Sequence, residues 1–270
     1  MNMSKNKKKK QIGFKIVLNF LILFNLAFCA STQKKFEETQ KKNPQYHYNM
    51  GSFYLNNGNV DEAIRSFSRV IALNSNHYLA YNGMGLAYLM KRNFEEAEKN
   101  FLKCLALNPS FSEARNNLGT LYQEMGLLDK AEQEFRIAAS DRNYNSRELP
   151  YYNLARLRLA QGNYREALEF IDQSLSNNSR LAMAHNLKGL ILEKIDRLEE
   201  AIKSYTTALR ILPDDTNINF NLGVAYFKSK DFEKAREIFE KVSPQVTDPE
   251  IRSEIEKYLK MIKESPDPKE

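Results

Sequence analysis

The chain has 270 residues, 42% of them hydrophobic, with 10 Gly, 8 Pro and no Trp; that is enough for one sizeable core, and the scarcity of both breakers favours helices. The formal charge of +6 is local: Lys5, Lys7, Lys8, Lys9, Lys10 and Lys15 have no acid among them, and without these six the 34 remaining basic residues balance 34 acidic ones. A neutral body exerts little long-range pull on a polyanion, so no nucleic-acid partner is expected, and two widely spaced cysteines, Cys29 and Cys104, do not make a disulfide framework.

Residues 1–15 are polar and basic, and residues 16–28 form an apolar run of 13 followed by Cys29-Ala30-Ser31. A basic stretch, a short apolar stretch and small residues after it have the order of an export signal over residues 1–28. The run is short for a membrane span, which needs about 20 apolar residues. Leu26-Ala27-Phe28-Cys29 resembles a bacterial lipobox. That resemblance implies that Cys29 is diacylated, becomes the mature N-terminus and anchors the chain to a membrane. Phe28 stands where the family has a small residue, so ordinary cleavage near Cys29 and an uncleaved anchor are the alternatives. Residues 29–43 are polar and charged and read as a tether.

From residue 44 a period of 34 organises the chain. Gly51, Gly85 and Gly119 are spaced by it, as are Gly189 and Gly223, and Ala155 takes the place between the two sets. Two extra residues fall in the loop near Asp141–Glu148. Twelve after each of these six positions stands an alanine (Ala63, Ala97, Ala131, Ala167, Ala201, Ala235), and sixteen after stand Phe67, Phe101, Phe135, Ile171, Tyr205 and Phe239. Tyrosine recurs three after, at Tyr54, Tyr88, Tyr122 and Tyr226, with Arg158 and Leu192 as departures. These spacings predict a helix–turn–helix unit. Small residues on both helices permit close approach, the aromatic fills the gap, and Gly58, Gly126 and Gly162 mark the turns.

Leu118-Gly119-Thr120-Leu121-Tyr122 with Ala131 and Phe135 resembles the tetratricopeptide pattern. The resemblance implies an all-α fold, a right-handed tetratricopeptide superhelix of six repeats at 44–77, 78–111, 112–147, 148–181, 182–215 and 216–247. Residues 248–264 are expected to form a capping helix, with Asp248 as N-cap, Pro249 in its first turn and Ile251, Ile255, Tyr258, Leu259 and Ile262 as its apolar stripe. Residues 265–270 are a polar tail.

Catalytic chemistry is not expected. His47 and His185 share a repeat slot four before the glycine and read as packing residues, like Cys104 on its second helix. No His-Glu-x-x-His or Cys-x-x-Cys spacing and no phosphate-binding glycine loop is present, so neither a metal nor another cofactor is called for. The chain ends soon after the repeats, which leaves little room for a catalytic domain. Acidic pairs such as Glu95-Glu96 and Glu199-Glu200 read as the solvated outer face.

In such a superhelix the first helices line the inside. Two before the glycine slot stand Asn49, Asn117, Asn153 and Asn221, and three before it stand Asn82, Asn116 and Asn186. An amide carries a donor and an acceptor together and can bridge the backbone of an extended peptide; it can equally satisfy the neighbouring repeat. The series resembles the asparagine ladder of O-linked N-acetylglucosamine transferases. Arg156 is the inward cation, and Tyr48, Tyr152, Phe220 and Phe227 are further inner-face candidates. The Lys-Asn pattern of the chaperone carboxylate clamp is absent, so an acidic C-terminal tail is not the expected ligand. Signal, repeat number and the insertion before the fourth repeat together resemble the pilotin-type lipoproteins of type IV pilus assembly. This implies a protein-binding scaffold in the cell envelope facing the periplasm. A scaffold for peptidoglycan-remodelling enzymes and a cytoplasmic chaperone adaptor are the alternatives.

Overall fold

Short apolar helices that must be covered on two sides, alternating with helices carrying one apolar stripe, have a stable solution in stacked hairpins. In the computed structural model, which describes residues 42–264, 13 α-helices follow one another and no strand occurs among these residues. They are α1 (Pro44–Asn56), α2 (Val60–Leu73), α3 (Tyr78–Met90), α4 (Phe94–Leu107), α5 (Ser112–Glu124), α6 (Leu128–Ser140), α7 (Glu148–Ala160), α8 (Tyr164–Asn177), α9 (Ala182–Lys194), α10 (Leu198–Ile211), α11 (Thr216–Lys228), α12 (Phe232–Val242) and α13 (Pro249–Glu264). The expected export signal, Cys29, most of the tether and the tail lie outside the described residues. Among the described residues no helix is long and apolar enough to cross a membrane.

The chain divides into two compact units, one ending at Pro109 and the other beginning at Ser110. In the first, α1 and α2 form a hairpin, α3 and α4 a second, and α2 packs on α3. In the second, the hairpins are α5/α6, α7/α8, α9/α10 and α11/α12. Each second helix packs on the next first helix, and α5, α7, α9 and α11 touch in succession. Helix α13 closes this unit against α11 and α12. Asp248 accepts from the Glu250 amide at 2.8 Å, and Ile255 and Ile262 are buried with Phe239 and Val242, so the cap forms as its sequence indicates.

The period has a steric cause. The six recurring alanines and Phe67, Phe101, Phe135, Tyr205 and Phe239 are all essentially inaccessible. Each glycine of the 34-residue series faces the ring of its own repeat at a distance that leaves no room for a methyl group. In the fourth repeat, where Ala155 replaces the glycine, the smaller Ile171 replaces the ring. Gly83, outside the series, is explained by the same ring: Phe67 of the preceding hairpin lies against it.

The turns within hairpins are equally regular. Gly58, Gly126 and Gly162 have φ of 74°, 74° and 77°, and the equivalent residues Arg92, Asp196 and Lys230 adopt φ of 56°, 57° and 65°. The left-handed residue lets the next amide reach back into the helix, as Asn59 N does to Tyr54 O at 2.8 Å and Asp231 N to Tyr226 O at 2.9 Å. The two extra residues near Asp141 make a turn fastened to its own unit: Ser112 Oγ donates to Asp141 Oδ2 at 2.6 Å and Arg147 Nε to Ala139 O at 3.1 Å. Arg158, in a tyrosine slot, ion-pairs instead with Glu132 and Glu166, tying α7 to α6 and α8.

Candidate functional site

Helices α7, α9 and α11 of the second unit carry Asn153, Arg156, Asn186 and Asn221 of the residues expected to face a ligand; Asn116 and Asn117 lie on α5, and Asn49 and Asn82 on α1 and α3 of the first unit. A cleft of about 420 Å³ opens between α9, α11 and α13, within the usual size of a ligand pocket. Leu190, Phe220, Val224 and Tyr258 supply its apolar lining, and Glu193, Lys194, Asn221, Lys228 and Glu254 its polar one. These positions identify the slots open on this face. They lie three and two before the glycine and one, four and five after it. One repeat earlier the same slots hold Tyr152, Asn153, Arg156, Leu159 and Ala160.

Two asparagine pairs bridge neighbouring first helices as rungs, α5 to α7 and α9 to α11. The Asn153 amide donates to Asn116 Oδ1 at 3.1 Å, and the Asn221 amide to Asn186 Oδ1 at 2.9 Å. Each bond uses one N–H of one amide and one lone pair of the other's carbonyl, leaving donor and acceptor capacity on both side chains. In both rungs the partner is a side chain of the adjoining repeat. Asn116 is buried at 7% exposure and Asn117 is half-buried. In the first unit Asn82 is buried, while Asn49 is exposed on α1 and accepts from Gln45 Nε2 at 2.8 Å.

Arg156 is exposed, with its guanidinium carbon 5.8 Å from the centre of the Tyr152 ring. Burial raises the Tyr152 phenol above its ordinary range, and the guanidinium acts against that rise. The other aromatic candidates are more heavily engaged. Phe227 meets Tyr258 edge-on at 5.0 Å, Phe220 meets it at 6.4 Å, and Tyr48 packs on Phe67 and His77. His185 Nε2 lies 2.9 Å from Ser179 O and His77 Nδ1 accepts from the Ala80 amide at 3.2 Å, both local structural roles.

One group was not anticipated. Glu193, its side chain 8% exposed at the cleft wall, accepts from Tyr205 Oη at 2.6 Å and pairs with Lys228 Nζ at 2.5 Å. Burial first, then the carboxylate, drives the Tyr205 phenol far above its usual range. The signal was a hydroxyl in a slot that phenylalanine fills in four other repeats.

Comparison with known proteins agrees with this construction. Tetratricopeptide-repeat family models match residues 44–77, 78–111 and 100–133, and the model of the C-terminal ARM domain of tetratricopeptide repeat protein 21 matches 136–257. The chain carries tetratricopeptide repeats. A curated relative, the TPR repeat-containing protein MJ1428 of Methanocaldococcus jannaschii, is 34% identical over 79 residues, which are 29% of this chain and 14% of that one. Two solved structures cover most of the fold. PilF of Pseudomonas aeruginosa has a TM-score of 0.71 at 16% identity, covering 81% of this chain and 98% of that one. PilW, a widely conserved type IV pilus biogenesis factor, has a TM-score of 0.71 at 14% identity, covering 78% and 97%. YrrB, a tetratricopeptide protein with an unusual peptide-binding site, has a TM-score of 0.53 at 21% identity, covering 71% and 97%. Tetratricopeptide arrays bind other proteins or peptides, and the open slots of α7, α9 and α11 are where this one offers polar, apolar and charged groups together.

Proposed function

We propose that this chain is a non-catalytic scaffold of the bacterial cell envelope. It holds a polypeptide partner on the face lined by its first helices and serves in pilus or secretin assembly, tethered to a membrane by a lipid on Cys29 and facing the periplasm. The observation that carries the binding role is the cleft between α9, α11 and α13. It adjoins the Asn221–Asn186 rung, whose remaining amide groups suit a peptide backbone. The likeness to PilF and PilW over 97–98% of their lengths supports the assembly role, and the apolar run ending at Cys29 supports the anchor.

A photo-crosslinker at Ala160, an exposed open-face position, and a second at Arg165 on the opposite helix of the same hairpin test this in native envelopes. Capture of a pilus or secretin subunit from Ala160 alone, with Cys29→Ala releasing the chain from membranes, is the expected result. Capture from Arg165 alone, or a Cys29→Ala protein that stays membrane-bound and unprocessed, refutes the groove or the lipid anchor respectively.

A further inference from the structure

We infer that the open face of the second unit selects an extended polypeptide that carries a carboxylate side chain and, about five residues along, an apolar side chain. This rests on the groove reading above and names what the groove reads.

The charge balance of the face points to it. Glu193 is already satisfied by Lys228 and Tyr205. Arg156 and Lys194, and the cleft-wall carboxylate Glu254, have no ion-pair partner among the described residues, and all three are exposed. Arg156 stands in the slot that Leu190 and Val224 occupy one and two repeats later, and those two line the cleft. The guanidinium therefore continues the line of the cleft. Its Tyr152 platform limits the arc through which the fork swings. A planar fork matches a carboxylate in two parallel hydrogen bonds. The carboxylates Glu193 and Glu254 on the cleft walls offset the ammoniums Lys228 and Lys194, so with Arg156 the face carries a surplus of about one positive charge, which suits a monoanion better than a doubly charged phosphate or a polyanion. In the cleft, Leu190, Phe220, Val224 and Tyr258 receive an apolar group. Packed helices lie about 9 Å apart, so the two helix steps from α7 to α11 span about 18 Å, or about five residues of extended chain. Between the two anchors lies Asn186, whose amide nitrogen is not used by the Asn221 rung and can meet the ligand backbone.

The test uses the full-length purified protein and fluorescein-labelled glycine–serine peptides. Each carries one Glu and one Phe at separations from two to nine residues; control peptides have Gln for Glu or Gly for Phe. Anisotropy should show tightest binding near a separation of five, about tenfold weaker binding of the Gln peptide, and an Arg156→Gln protein that binds Glu and Gln peptides alike while retaining the Phe requirement. Glu and Gln peptides of equal affinity for the wild-type chain overturn the inference, as does an Arg156→Gln protein that weakens both equally or an affinity indifferent to separation. If these peptides fail while Ala160 still cross-links a partner, the groove stands and this reading of it falls. If Ala160 captures nothing either, both fall.

Discussion

Replacing Gly119 by alanine tests the idea that the 34-residue period is a steric lock between two slots. A methyl group built there lies 2.6 Å from Phe135 Cε1, 2.7 Å from Cδ1 and 3.2 Å from the Ala131 carbonyl oxygen, against about 3.5–4.0 Å for unstrained carbon contacts. The ring must move by about 1 Å, and Phe135 is wholly buried, so an overpacking cost of about 1–3 kcal/mol is expected. Helix propensity returns about 1 kcal/mol on going from glycine to alanine, leaving a net loss of about 0–2 kcal/mol. Phe135→Ile alone opens a void and should cost about 1.5–2.5 kcal/mol, less than the full truncation of a buried Phe. The double variant recreates Ala155 over Ile171, a pair buried in the fourth repeat with no exposed area. Its destabilisation should fall short of the sum of the single variants by about 1–2 kcal/mol. Urea unfolding of the four proteins followed by far-ultraviolet circular dichroism measures the cycle. Additivity within about 0.3 kcal/mol, or a Gly119→Ala protein more stable than wild type, would refute the lock.

The turn residues offer a second test. Lys230 holds φ of 65° where other repeats have glycine, so Lys230→Gly should stabilise by about 0.5 kcal/mol after the glycine's greater unfolded-state entropy is deducted. A higher urea midpoint at unchanged slope is the expected readout. The Asp141 turn offers a third. Burial, reinforced by Glu113 and Glu148, pushes the Tyr144 phenol up to about 12. Its folded value exceeds its unfolded value near 10, so the folded state keeps a proton that the unfolded state has lost. This contribution is fully present below pH ~10 and falls away as pH rises toward 12. Tyr144→Phe should flatten the alkaline loss of stability in that window, and an unchanged profile between wild type and variant would show Tyr144 to be solvated.

Features that obey the period could be read because the period is the packing. A glycine is demanded by the ring opposite it, an alanine by the closeness of two helices, and the exception at Ala155 carries its own compensation sixteen residues later in Ile171. Features that join one repeat to the next were half legible. Asn116 and Asn153 stand 37 residues apart, so no single repeat contains the bond between them. An amide in a known slot does not declare whether it turns to a ligand or to a neighbour. The left-handed conformations of Arg92, Asp196 and Lys230 could not be read for the opposite reason. The turn's backbone hydrogen bonds impose that φ whichever residue is present, and only glycine marks it in the sequence. Phe227 looked like a groove anchor because its own helix leaves it open; Tyr258, supplied by α13, covers it. The same helix that removes Phe227 from the open face makes the cleft, since Glu254 and Tyr258 are two of its walls. The capping helix therefore does more than solvate the end of the stack: it converts the last open turn of the first-helix face into a three-walled site, and it does so with residues that lie outside the repeats altogether.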